Sequence, residues 1–173
     1  ALRAEGVRYI FGIPGHSLAI FCDVLNDFPD IQFVLFRHEE VAAWAAGAAA
    51  RVMGYKPVVC CGTVGPGVAH LITGVAGAYY EGWPIIALGG VTAIEFFGKG
   101  GLQEAEHVEV MRPWTKWSTR ILNANRIPET VRRAVKIAKS GLPGPVYIDF
   151  PMDVQYDDVE TDMSDYKPAS FHR

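Results

Sequence analysis

Hydrophobic and polar positions along the chain alternate between two textures. Short, nearly continuous apolar runs occupy residues 7–11 (VRYIF), 32–36 (QFVLF), 57–62 (PVVCCG), 84–90 (PIIALGG) and 145–150 (PVYIDF). Runs of this length, bounded by Gly, Pro and polar residues, read as strands. Between them lie longer segments with helical spacing at 18–28 (LAIFCDVLNDF), 39–53 (EEVAAWAAGAAARVM), 68–82 (VAHLITGVAGAYYEG) and 127–141 (IPETVRRAVKIAKSG). The last is the best punctuated, with Pro128 near its start, Lys139 near its end and Gly141 as its stop. Strands that are apolar on both faces and separated by helices predict an α/β fold. The expected form is a doubly wound, mostly parallel sheet with helices on both faces, a three-layer α/β/α domain. Such sheets bind ligands at the carboxyl ends of their strands. Loops 12–17, 37–40, 62–67 and 89–103 are therefore the expected walls of a site. The small side chains of Ala42 to Ala50 allow a close approach to another backbone, equally well inside the domain or across a subunit contact.

Composition narrows the class. A chain of 173 residues has room for one domain with a substantial core. With 50% hydrophobic and 20% charged residues and a net charge of −3, it reads as an ordinary soluble globular domain. There is no basic footprint for nucleic acid, no apolar segment of membrane-spanning length and no signal-peptide core, so neither nucleic acid nor membrane is an expected partner. Cys22, Cys60 and Cys61 lack metal-ligand spacing and sit in apolar context, which fits buried free thiols in a reducing cytoplasm. Adjacent Cys60 and Cys61 should point to opposite faces of a strand. The opening ALRAEGVRYIFG reads as the end of a helix, a stop at Gly6 and then a strand. The closing DDVETDMSDYKPASFHR is polar and turn-rich, composed like a linker. Together these ends suggest one domain of a longer chain, with residues 1–154 as the domain and 155–173 as a linker.

Several motifs carry candidate chemistry, each with an ordinary reading beside it. Glu39 and Glu40 stand where a strand gives way to a helix, a place that favours negative charge whatever the function. TVGPGVAH (63–70) is a glycine loop between strand and helix, but it lacks the Lys-Ser/Thr ending of a P-loop and the spacing of a dinucleotide fingerprint. Its Gly65 and Gly67 say that backbone comes close to something flat or bulky. In FGIPGHS (11–17), a turn at Pro14-Gly15 aims His16 at the strand ends, and Ser17 is placed to cap the next helix. Gln103 lies in the glycine-rich GKGGLQEAEH, which could fold over a site. His70, His107, Glu104, Glu106 and Glu109 do not assemble into a metal set, and no nucleophile elbow occurs.

Taken in order, RHEEVAAWAAGAAAR, GTVGPGVAHLITGVAGAYYEGWPIIALGG, LQEAEHVEVMRPWTKWS and GLPGPVYIDFPMDV resemble the N-terminal, pyrimidine-binding domain of thiamine-diphosphate-dependent enzymes. The branch most similar holds acetolactate synthase, 2-hydroxyacyl-CoA lyase, oxalyl-CoA decarboxylase and benzaldehyde lyase. The resemblance runs from about Leu2 to Val154. It implies that Glu39 hydrogen-bonds a nitrogen of the cofactor's aminopyrimidine ring and favours the imino form that activates the thiazolium carbon. By the same resemblance Pro14, Gly65, Pro66 and Gly67 are cofactor-side residues, while His16 and Gln103 face the substrate or the bound intermediate. Ala48-Ala49-Ala50-Arg51 departs from the Gly-Tyr-Ala-Arg that commonly ends this helix, and His70 replaces a small polar residue, with no role assigned. The family holds the diphosphate and its Mg2+ on another domain through a Gly-Asp-Gly motif, and no such tripeptide occurs here. The resemblance thus implies half an active site, completed by a diphosphate-binding domain of the same or another chain in a homo-oligomer, a dimer or tetramer. The expected chemistry is making or breaking a carbon–carbon bond beside a carbonyl, on 2-keto acids or 2-hydroxyacyl thioesters, with the isolated chain inert. WPIIALGG and GLQEAEHVEVMRPWTKWS tilt this reading slightly toward the lyase and carboligase branch. The rival is a non-catalytic binding or assembly module with the same fold.

Overall fold

A computed structural model describes residues 1–160 and 162–171. Six strands form one sheet: β1 (Tyr9–Gly12), β2 (Gln32–Leu35), β3 (Val58–Gly62), β4 (Ile85–Val91), β5 (Trp117–Arg120) and β6 (Val146–Pro151). Their order is β2-β1-β3-β4-β6-β5 and every pairing is parallel. The helices are α1 (Ala19–Val24), α2 (Glu39–Val52), α3 (Pro66–Glu81), α4 (His107–Met111), α5 (Ile127–Lys139) and α6 (Met152–Tyr156). None is long and apolar enough to cross a membrane.

Strand β3 shows why the layers form. Val58 and Cys60 join the core beneath α2 and α3, whereas Val59 and Cys61 join the core beneath α1 and α5. Both faces are apolar, so both must be covered. The adjacent cysteines point to opposite faces as alternation requires, and burial pushes the Cys60 thiol up to about 12. Part of the alanine run in α2 packs inside the domain. Ala43, Ala46 and Ala50 pack with Val68, Leu71, Val75 and Ala78 of α3 inside the same domain.

Two parts of the chain were not anticipated. Residues 18–28 form only a short α1 flanked by 3-10 turns at His16–Leu18 and Leu25–Asp27. The less regular stretch after residue 90 contains α4 and the edge strand β5, whose WSTR sequence is half-buried throughout and carries no apolar alternation. At the amino end, Gly6 N–H bonds Arg3 C=O and Val7 N–H bonds Leu2 C=O, with Gly6 at φ +86°. That double closure is the signature of a finished helix turn, as expected. The residues after α6 lie back on the domain. Tyr166 donates to Glu5 Oε1 at 2.5 Å, and Phe171 packs by Lys139. The expected linker at 155–173 includes residues 161, 172 and 173, which lie outside the described set.

Candidate active site

Between β1 and β3 the chain changes direction: it leaves β1 for the outer strand β2 and returns across β1 to β3. The helices after β1 and β3 pack on opposite faces, which opens a crevice at the carboxyl ends of those strands. Ser17 ties its two walls together. Its Oγ accepts the Val64 N–H at 2.9 Å and lies 2.9 Å from Thr63 Oγ1. The sequence placed Ser17 as a helix cap. Instead the cap position is Gly15, without a side-chain bond, and Ser17 sits inside the turn, where the unpaired Val64 N–H claims its oxygen.

Glu39 is the first residue of α2 and only 6% exposed. His38 caps the helix, its Nδ1 accepting the Glu40 N–H at 3.3 Å, which leaves Glu39 turned inward. One carboxylate oxygen, Oε2, accepts from His70 Nδ1 at 3.0 Å. The other, Oε1, faces Gly67, where an added Cβ would stand 3.2 Å away. The His70 ring in turn stacks on His38, with centroids 4.4 Å apart. Donor atoms of His38, Glu39 and His70 gather within 4.8 Å. Yet the two ring planes are inclined by only 27°, so they do not meet within bonding reach of both rings, and a metal bound in-plane by both is disfavoured.

The glycine loop opposite is held from beneath. Gly65 takes φ +66°, and a Cβ there would lie 2.7 Å from the Gln103 carbonyl oxygen. Its N–H donates to His107 Nε2 at 3.0 Å. An accepting Nε2 places the ring proton on Nδ1, which donates to Asp149 Oδ1 at 3.2 Å. The fully buried Asp149 also accepts from Tyr147 Oη and from Arg120 Nε, the latter at 2.8 Å. Burial, reinforced by the Asp149 charge, pushes the Tyr147 phenol well up. Satisfied on every side, this buried network can fix the loop rigidly. Sequence reasoning passed over it. The signal available was Asp149 itself, an acid inside an apolar strand with Tyr147 two residues earlier on the same face. Arg120 could not be found without β5, which sets Arg120 directly beside Asp149.

The remaining expected residues lie around this centre. Pro66 begins α3 and is exposed beside buried Gly65 and Gly67. Gln103, at φ +55°, brings its backbone against Gly65 while its side chain is exposed. Glu104 accepts the amides of Gly98, Gly100 and Gly101 at 2.6, 3.0 and 3.0 Å, and these bonds hold its carboxyl below the usual range. Pro14 and His16 are exposed on the β1–α1 loop. His16 lines a mostly apolar cleft of about 340 Å3 with Val64, Thr92, Phe96 and Leu102. Glu39 thus bonds His70 and faces Gly67, Gln103 adjoins the loop through backbone, His16 shares a cleft with Val64 of the loop, and Pro14 lines a separate groove with Cys22, Leu25 and Phe33.

A family model described as "Thiamine pyrophosphate enzyme, N-terminal TPP binding domain" matches residues 1–110. The chain belongs to this family. A probable acetolactate synthase large subunit of Methanocaldococcus jannaschii is 42% identical over 98% of this chain and 30% of its own length. The acetolactate synthase isozyme 2 large subunit of Escherichia coli is 39% identical over 90% of this chain and 28% of its own. A chloroplastic acetolactate synthase 2 of Nicotiana tabacum is 39% identical over 90% and 23%. The chain therefore spans under a third of the length of these relatives. A thiamine pyrophosphate-binding domain implies thiamine diphosphate as ligand. At Gly67 bare backbone stands beside Glu39 Oε1, Thr63 and Gly62, too close for a side chain to intrude, and the Gly65 N–H is held by His107.

Proposed function

We propose that this chain is the pyrimidine-binding half of a thiamine-diphosphate-dependent enzyme that makes or breaks a carbon–carbon bond beside a carbonyl, with 2-keto acids as substrates. The reading rests on one observation: a buried carboxylate, Glu39, at a helix start beside the Cβ-free Gly67 of a loop held by the Gly65 N–H bond to His107. Glu39 would hydrogen-bond the pyrimidine, and Gly65, Pro66 and Gly67 would lie along the ring, with Pro14 on the cofactor side. Gln103 and His16 would meet the substrate side. When bound, thiamine diphosphate supplies the electron sink that lets a carbonyl carbon act as a nucleophile. The role of Glu39 is to hold and move a proton at its carboxylate.

The diphosphate and its Mg2+ fall to another domain, on the same or another chain, in a homo-oligomer. Among the described residues the clustered metal-type donors are two imidazoles and one carboxylate, whereas magnesium takes oxygen ligands. Relatives named acetolactate synthase draw the proposal to the synthase branch, away from the lyase branch that two sequence segments had favoured. The deciding experiment uses the enzyme complete with its diphosphate-binding domain and follows hydrogen–deuterium exchange at the thiazolium carbon between sulfur and nitrogen. Glu39→Gln should slow exchange by about a hundredfold or more while leaving the melting temperature nearly unchanged. Exchange at the wild-type rate would return Glu39 to a helix-start charge and favour a non-catalytic binding module.

A further inference from the structure

We infer that His70 is a positioning residue for Glu39 and the route by which its buried carboxylate exchanges a proton with solvent. The inference rests on the reading of Glu39 given above. Three observations carry it. His70 Nδ1 meets Glu39 Oε2 at 3.0 Å, within hydrogen-bond distance. Within this chain the two side chains differ sharply in accessibility, 48% for His70 against 8% for Glu39, so the imidazole stands between a nearly dry group and the surface of the domain. The ring is also held in place, stacked on His38, which is itself fixed by capping α2.

A carboxylate has two usable oxygens, and here they are divided. His70 takes Oε2, which orients the group and leaves Oε1 facing the bare backbone of Gly67. An imidazole can do more than orient, because its two nitrogens accept and release protons at opposite ends of one ring. In the inward direction Nδ1–H passes its proton to Oε2 while Nε2 takes one from water. In the outward direction the protonated carboxyl returns a proton to Nδ1 as Nε2–H is released to water. One proton crosses in each case, and only N–H and O–H bonds change. Without such a bridge, a carboxylate this buried exchanges protons only through the bound ligand or by local opening.

The groups placed around the His70 ring are Glu39 and His38 at the start of α2, so the relay is short and accessible to test. The same exchange assay in the complete enzyme decides it. His70→Ala should slow thiazolium hydrogen–deuterium exchange about tenfold or more, and millimolar imidazole in the buffer should restore it while leaving the wild type unaffected. His70→Gln keeps an N–H donor for Oε2 but cannot carry a proton through. It should bind thiamine diphosphate with a Kd close to the wild type and still exchange slowly, and it serves as the test if the Ala variant does not fold. Wild-type exchange in His70→Gln, or a slow His70→Ala that imidazole does not restore, overturns the relay. Glu39→Gln separates the two readings. If it is slow while both His70 variants are fast, only the relay fails; if it is itself fast, the reading of Glu39 fails first.

Discussion

At the scale of single residues, the site depends on side chains that are absent as much as on those present. Gly65 combines a left-handed backbone with a contact that no Cβ could make, 2.7 Å from the carbonyl oxygen of Gln103. Gly65→Ala should therefore lose about 2 kcal/mol of stability, the left-handed cost plus displacement of the Gln103 backbone. Denaturant unfolding against the wild type checks this, and an unchanged midpoint would mean that the two loops are not locked together. The sequence singled out Gly65 and Gly67 as points of close approach by their glycines, whereas Glu39 read locally as an ordinary helix-start charge and was singled out only through the family resemblance. It was silent on the role of His70. Nothing local marks a histidine in mid-helix as the neighbour of an acid 31 positions earlier; only the packing of α3 on α2 brings them to 3.0 Å.

At the scale of elements, the Gly98–Glu104 turn is a carboxylate clasp. Glu104 gathers three backbone amides, and because those bonds favour the charged form its carboxyl titrates below the usual range. The sign follows: the clasp contributes fully above the ordinary carboxylate pKa and is lost as pH falls through the lowered folded value. Glu104→Gln should reduce hydrogen-exchange protection at the Gly98, Gly100 and Gly101 amides near neutral pH. Acidifying the wild type should produce the same loss. Protection that ignores both changes would place the turn's order elsewhere, for instance in the Arg120–Phe97 stack at 4.3 Å. This segment was legible as a glycine-rich loop but not as an ordered one. Likewise β5 was illegible because an edge strand of Trp, Ser, Thr and Arg gains its pairing from β6 and not from its own pattern. The long apolar strands and α2, α3 and α5 were readable because period, length and end signals agreed within each of them.

At the scale of the whole molecule, the described residues present a crevice at the carboxyl ends of β1 and β3 and a buried hydrogen-bond network beneath its glycine loop, and the proposed function assigns the diphosphate and magnesium to another domain. The isolated chain should show no turnover of a 2-keto acid above background when thiamine diphosphate and Mg2+ are added, and activity should return when the diphosphate-binding domain is supplied. Turnover by the chain alone would show that half a site is the wrong description. Cys22 is half-buried and not the buried thiol expected, while the two cysteines of β3 add no competing chemistry. Cys60 and Cys61 are fully buried, with thiols pushed up by burial, and neither is placed to act as a nucleophile.

The sequence by itself determined the layered α/β class, the parallel sheet, the helix that begins at Glu39 and the glycine loop that faces it. Each of these is written in a local period, a turn residue or a short ordered motif. Only the tertiary structure decided which groups act on one another. It set His70 against Glu39, laid Gln103 over Gly65 and joined His107, Asp149, Tyr147 and Arg120 into one buried network. The physical reason is that hydrogen bonds between distant segments depend on strand order and helix packing, which a linear pattern restricts but does not encode residue by residue.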